Sequence, residues 1–222
     1  MTLPLPISEL TEFDPQELFH TEFVQNFPVQ IDEEQQYRAA AYALIGALLR
    51  HSPDRAMLQH LSALPGEGAV NGDDLLLSMS MLGLSARVHT PETIEDEYHN
   101  LFIGLGKGEV VPYASWYLTG FLMEKPLSEL RDDLDLLGYE RSEDTSEPED
   151  HAAALCEVIS CLIGEGNDID KQRHFFQRHI VNWIEPFFND LSEARSAVFY
   201  KAVGRFGKAF IAFENEYFSM QS

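Results

Sequence analysis

The sequence predicts an all-α protein. Apolar residues recur at helical spacing through most of the chain, and no stretch alternates apolar and polar residues as a half-buried strand would. Capping residues, often with Pro or an acid beside them, precede several apolar runs, and Gly closes others. Together these signals mark roughly nine or more helices. They fall into two lobes joined by an acidic hinge, with no repeat of fixed period.

In chain order, residues 1–33 are acidic and form an N-terminal extension. Within it, Asp14, Pro15 and Glu17 read as the N-cap, first residue and first-turn acid of a short amphipathic helix, with Phe19 and Phe23 on one face. The N-terminal lobe, 34–140, begins with a helix from Glu34 to Arg50. There Tyr37, Ala41, Leu44 and Leu48 make a buried stripe. "LPGEGAVNG" is a loop. Leu75, Leu76, Met79 and Leu82 mark a helix expected to end near Gly83. Thr90 caps the next, with Pro91 and Glu92 in its first turn, Ile94, Tyr98, Leu101 and Phe102 as its apolar face, and Gly104 as its stop.

After the extended loop "GLGKGEVVP", Ser115 is expected to cap an aromatic helix that carries Trp116, Tyr117 and Phe121 and ends at Pro126. Leu127, Leu130, Leu134 and Leu137 build the following helix, stopped by Gly138. From Glu129 to Asp150 there are ten acidic residues against two basic, and "ERSEDTSEPED" has no apolar periodicity. That segment reads as a solvated hinge, placed at 141–150. Ser146 and Glu149 match a capping box, with Pro148 in the first turn of a helix that opens the C-terminal lobe, 151–222. His151, Leu155, Val158, Ile159 and Leu162 share its face. One further helix carries Phe175, Phe176, His179, Ile180 and Trp183. The last starts near Ser192, with Val198, Ala202, Phe206, Ala209, Phe210 and Phe213 directed inward.

Composition narrows the function. The 222 residues, 45% hydrophobic, suffice for a sizeable core without staples. A net charge of −22 repels phosphate backbones and anionic membrane surfaces, and it attracts cationic partners. Cys156 and Cys161 lie five apart on different helical faces, so free thiols and a reducing cytoplasm are expected. No signal peptide is visible, and "AAAYALIGALL" is too short to span a bilayer.

Catalytic motifs are weak. "GLGKGE" fails the P-loop pattern, because Gly106-Lys107 is followed by Gly108 and Leu101 stands where the earlier glycine belongs. His174 and His179, five apart, diverge by about 140° on a helix, and no metal motif occurs. Asp150 and His151 are adjacent and do not face each other on a helix, which favours structural roles over acid–base work. Trp116, Tyr117, Phe121 and Trp183 are each more often core than binding surface. Tyr113 and Trp116, however, sit beside a loop, where rings with one wet end serve peptide grooves.

Three blocks then resemble the TorD/DmsD/NarJ-type chaperones that mature Tat-exported redox enzymes. "EYHNLFIGLGKGEVVPYASWYL" resembles the family's Y-x-x-L-F…P-Y-E-S-V-Y block through Tyr98, Leu101, Phe102, Tyr113, Ser115 and Tyr117. "EPEDH" resembles its E-P-x-D-H hinge motif through Glu147, Pro148, Asp150 and His151, with Glu157 as the downstream glutamate. "FQRHIVNWIEPFF" resembles a helix pattern through His179 and Trp183. Ala114 and Val111 depart from the family's usual Glu and Pro.

The resemblance implies a TorD-like helical bundle and a non-enzymatic cytoplasmic chaperone. Such a chaperone binds the twin-arginine signal peptide of a molybdopterin oxidoreductase, or its apo form, and delays export until the cofactor is inserted. It implies client contacts at Tyr113, Ser115, Trp116, Tyr117, Asp150 and His151, and structural roles for Tyr98, Leu101, Phe102, His179 and Trp183. No cofactor is expected beyond weak guanine-nucleotide binding, and the chain is expected as a monomer or a domain-swapped dimer. Truncating Trp183 should cost about 3–5 kcal/mol, whereas Asp150→Ala or His151→Ala should weaken client binding and leave the fold nearly intact. The alternatives are a small nucleotide hydrolase using Asp150 and His151, or a non-catalytic helical interaction subunit.

Overall fold

Asp32 accepts a hydrogen bond from the Gln35 amide at 2.9 Å, and this N-cap opens the first helix of a computed structural model that describes residues 31–64, 74–104, 108–140 and 147–221. Among them run α1 (Glu33–Arg50), α2 (Arg55–Ser62), α3 (Asp74–Val88), α4 (Pro91–Tyr98), α5 (Ala114–Thr119), α6 (Lys125–Leu137), α7 (Ala152–Gly164), α8 (Ile169–His179), α9 (Val181–Glu193) and α10 (Phe199–Met220). A π-helical turn, His99–Ile103, extends α4. The helix expected near residues 14–23, most of the "LPGEGAVNG" loop and hinge residues 141–146 lie outside the described residues.

Local chemistry accounts for most boundaries. Thr90 and Thr93 form a reciprocal capping box on α4, with Pro91 at its first position. Gly104 stops the π-turn at φ 55°, and Gly138 closes α6 in the left-handed region. The short helix α2 has no counterpart among the expected elements, since only Leu58 and Leu61 of its eight residues are buried.

Several boundaries differ from expectation. Helix α3 does not end at Gly83 but continues to Val88; a Cβ on Gly83 would fall 2.8 Å from the Leu64 Cβ, so this glycine permits a close approach of the chain after α2. The aromatic helix α5 ends at Thr119, because Gly120 turns left-handed at φ 82°, and Pro126 lies in the first turn of α6. Helix α7 begins at Ala152 rather than at a Ser146 capping box, since His151 is its N-cap.

The helix expected through Phe175 and Trp183 is broken at Ile180 (φ −117°). The indole of Trp183 takes the His179 carbonyl at 2.7 Å, the acceptor its own amide would use in an unbroken helix. The last helix starts at Phe199, because the buried Glu97 carboxylate accepts from the amides of Val198, Phe199 and Tyr200 at 2.8, 3.0 and 2.7 Å. Val198, just before that start, and Phe213, farther along the helix, are exposed rather than inward.

Helix α1 packs most extensively on α7, α9 on α10, and α10 on α3. Helices before and after residues 141–150 thus share one contiguous apolar cluster. Arg38 on α1 grips Glu214 on α10 with two 2.7 Å hydrogen bonds, both side chains fully buried. His179 Nε2 lies 2.7 Å from Asp133 and ties α8 to α6. No helix among the described residues is long and apolar enough to cross a membrane.

Candidate functional site

Two of the motif segments meet at one knot. Tyr113 and His151 form an antiparallel bridge, in which the Ala114 amide donates to the Asp150 carbonyl at 2.9 Å and the Ala152 amide to the Pro112 carbonyl at 2.8 Å. Tyr113 is the N-cap residue of α5 but makes no side-chain cap. The missing cap comes from across the knot: Asp150 Oδ2 accepts from the Ser115 amide at 2.9 Å and from its hydroxyl at 2.5 Å. Ser115, expected as the cap, is instead the capped residue.

Ser115, Asp150 and His151 are all buried, at 0%, 1% and 3% exposure. His151 Nδ1 accepts from the Ala153 amide at 3.1 Å, which places the ring proton on Nε2, 3.7 Å from Glu147. Burial, helped by the charge of Arg50, pushes His151 down to about 3, so the imidazole is neutral. The Tyr113 ring packs edge-on against it at 5.0 Å.

Arg50 closes the far side of the knot. Its guanidinium holds Glu157 at 3.0 and 2.6 Å and reaches Glu147 at 3.5 Å. The Tyr98 hydroxyl donates to the Arg50 carbonyl at 2.8 Å, and its ring packs with Phe102 and Tyr200. Burial, and next Glu147, raise Tyr98 and Tyr113 each to about 12. Leu101 is fully buried, and Trp183 sits in the core between Tyr117 and Phe187. Pro148 contributes its carbonyl, which accepts from the His151 amide at 3.2 Å.

The knot braces rather than reacts. Asp150 bonds Ser115 directly, while His151 spends its acceptor nitrogen on a backbone amide, so the three do not align as acid, base and nucleophile. Asp150 Oδ1 has no hydrogen-bond partner among the described residues. In the glycine loop, a Cβ on Gly108 would fall 2.4 Å from the Leu101 carbonyl, so close packing on the π-turn already requires that glycine.

The surface next to the knot is different. Trp116 and Tyr117 are half-buried, and the Tyr117 hydroxyl donates to Asp190 at 2.8 Å. Beyond them Leu118, Phe121, Leu122 and Met123 are exposed by 45%, 68%, 48% and 71%. Met123 has φ 60°, a left-handed conformation unusual for a side chain of its size. Thr119 Oγ1 pins the turn by accepting from the Phe121 amide at 3.2 Å. Four large apolar side chains within six residues form a contiguous ridge of the kind that marks interaction sites. Sequence reading placed Phe121 on the helix and missed Leu122 and Met123. The available signal was Gly120, a helix stop six residues before Pro126.

Comparison with known proteins places these features in context. The model of the nitrate reductase delta subunit family matches residues 71–189. A Chaperone protein TorD from Vibrio parahaemolyticus is 25% identical over 133 residues, which cover 54% of this chain and 62% of that protein. Another, from Salmonella schwarzengrund, is 26% identical over 197 residues, covering 82% of this chain and 91% of that one. The chain thus spans less than two thirds of the Vibrio relative. A crystal structure described as a candidate redox enzyme maturation protein from Archaeoglobus fulgidus superposes with a TM-score of 0.53, at 18% identity over 86% of this chain and 99% of the other.

Proposed function

The chain belongs to the nitrate reductase delta subunit family, of TorD/NarJ type, and from that premise we propose that it is a non-enzymatic maturation chaperone for a redox enzyme. Its client is the apo form of a molybdopterin oxidoreductase, its twin-arginine signal peptide, or both. Binding delays Tat export until the cofactor is inserted. The relatives' name as chaperones supports this reading, as does the description of the Archaeoglobus protein.

The observation that carries it is the apolar ridge Leu118–Met123, which follows directly on the motif segment braced by Asp150. A signal peptide has a basic start and an apolar middle. The ridge, with the wet edges of Tyr113 and Trp116, takes the apolar segment, and a surface of net charge −22 steers the arginines. Ser115, Asp150 and His151 act from beneath by fixing the start of α5. Tyr117 anchors the helix through Asp190.

Calorimetry with a twin-arginine signal peptide tests this. A dissociation constant near micromolar, roughly −8 kcal/mol, is expected, and it should weaken with salt. The double variant Phe121→Asp, Met123→Asp should abolish the heat while circular dichroism stays unchanged, because both side chains are exposed. Undiminished binding by that variant, or flat titrations with every signal peptide of the organism's molybdenum enzymes, would falsify the assignment.

A further inference from the structure

A second apolar face lies on α3, far along the chain from the ridge. Leu77, Met81, Leu84 and Val88 recur at i, i+4, i+7 and i+11 and so share one side of the helix. Leu77, Leu84 and Val88 are exposed by 44%, 42% and 77%, and Met81 is half-buried. The core is served by the opposite side, through Ser78, Leu82, Gly83 and Ala86.

A basic row adjoins this stripe. Lys201, Arg205 and Lys208 stand at i, i+4 and i+7 on α10, all exposed, in a chain with only 15 basic residues. Arg205 touches the Met81 sulfur at 3.7 Å, and His89, just past α3, packs on Phe199 at the start of α10. The two helices therefore run antiparallel with the two rows side by side. Lys208 lies 3.6 Å from Glu185 and bonds Asn189, while Lys201 makes no ion pair among the described residues. An apolar stripe edged by cations fits an acidic amphipathic segment.

This chain carries such a segment. Residues 1–30, outside the described residues, hold Glu9, Glu12, Asp14, Glu17 and Glu22 with no Lys or Arg, and they place Phe13, Phe19, Phe23 and Phe27 among them. We propose that the acidic, Phe-rich segment around residues 14–27 docks across α3 and the basic row of α10, covering the Leu77–Val88 stripe within the same molecule.

Reach permits it. The chain enters α1 beside the end of α10, where Gln35 donates to the Tyr217 hydroxyl at 2.7 Å. From Tyr217 back to Arg205 is twelve residues of helix, about 18 Å. Residues 24–30 alone span up to about 23 Å when extended.

Zero-length carbodiimide crosslinking of the full chain, mixed one to one with its nitrogen-15 form, tests this. Peptides joining Glu17 or Glu22 to Lys201 or Lys208 are expected, with both halves from the same isotopic species. The Lys125–Glu129 pair, 2.8 Å apart, is the positive control. The crosslinks should be lost in full-length Phe19→Ala, Phe23→Ala, while that control crosslink persists. If the control forms and no such crosslink does, if the crosslinks join different isotopic species, or if they survive loss of the two rings, the proposal is overturned.

Discussion

At Asp150 one carboxylate oxygen replaces the missing cap of a neighbouring helix, while its twin has no hydrogen-bond partner among the described residues. Removing it strands the buried Ser115 amide and hydroxyl. Asp150→Ala should therefore lower stability in urea by about 1–3 kcal/mol, read as a shift in midpoint at constant slope. The sequence reading expects this variant to leave the fold nearly intact; the burial of Asp150 adds a measurable loss of stability to that expectation. His151 adds a pH signature. Its ordinary value is 6.5 and its folded value about 3, so below about pH 6.5 the unfolded chain binds a proton that the native ring refuses. The stability tied to this neutral ring is fully present above pH 6.5 and falls as pH drops toward 3, by up to about 3 kcal/mol at pH 4. His151→Asn keeps an oxygen for the Ala153 amide but cannot titrate. Urea midpoints measured from pH 7 to pH 4 should decline less for it than for the wild type.

Between elements, glycines and remote carboxylates set the geometry. Where α10 crosses α9, a Cβ on Gly204 would fall 2.9 Å from both the Phe188 carbonyl and the Ser192 amide. Gly204→Ala forces two backbones apart and should cost about 1–3 kcal/mol despite alanine's better helix propensity; a raised thermal midpoint would contradict the close crossing. Helix starts that rest on their own sequence were legible, as Thr90-Pro91 marks α4. Those made by a distant residue were not. Glu97 starts α10 from about a hundred residues away, and Asp150 starts α5 from 35 residues away. Gly83 and Gly120 read alike in sequence, yet one lies mid-helix against Leu64 and the other is a left-handed stop.

For the whole molecule, a buried ion pair links the first and last described helices. Arg38 and Glu214 are buried together, with Gln172 and the Tyr42 hydroxyl completing their hydrogen bonds. Arg38→Met removes the cation and leaves Glu214 uncompensated in the core. It should destabilise by about 3–5 kcal/mol, whereas Arg38→Met with Glu214→Leu should recover most of that loss in a double-mutant cycle.

The sequence alone determined that the chain is helical, that it is acidic, and that its motifs fall in the order of a redox-enzyme chaperone family. Those properties lie in periodicity, composition and local spacing, which survive in one dimension. Only the tertiary structure decided which motif residues face water. Ser115, Asp150 and His151 are sealed inside because two segments, 35 residues apart, exchange backbone hydrogen bonds, while Leu122 and Met123 are left outside by a single left-handed glycine. Burial depends on what the rest of the chain brings to a residue, and no local pattern records that.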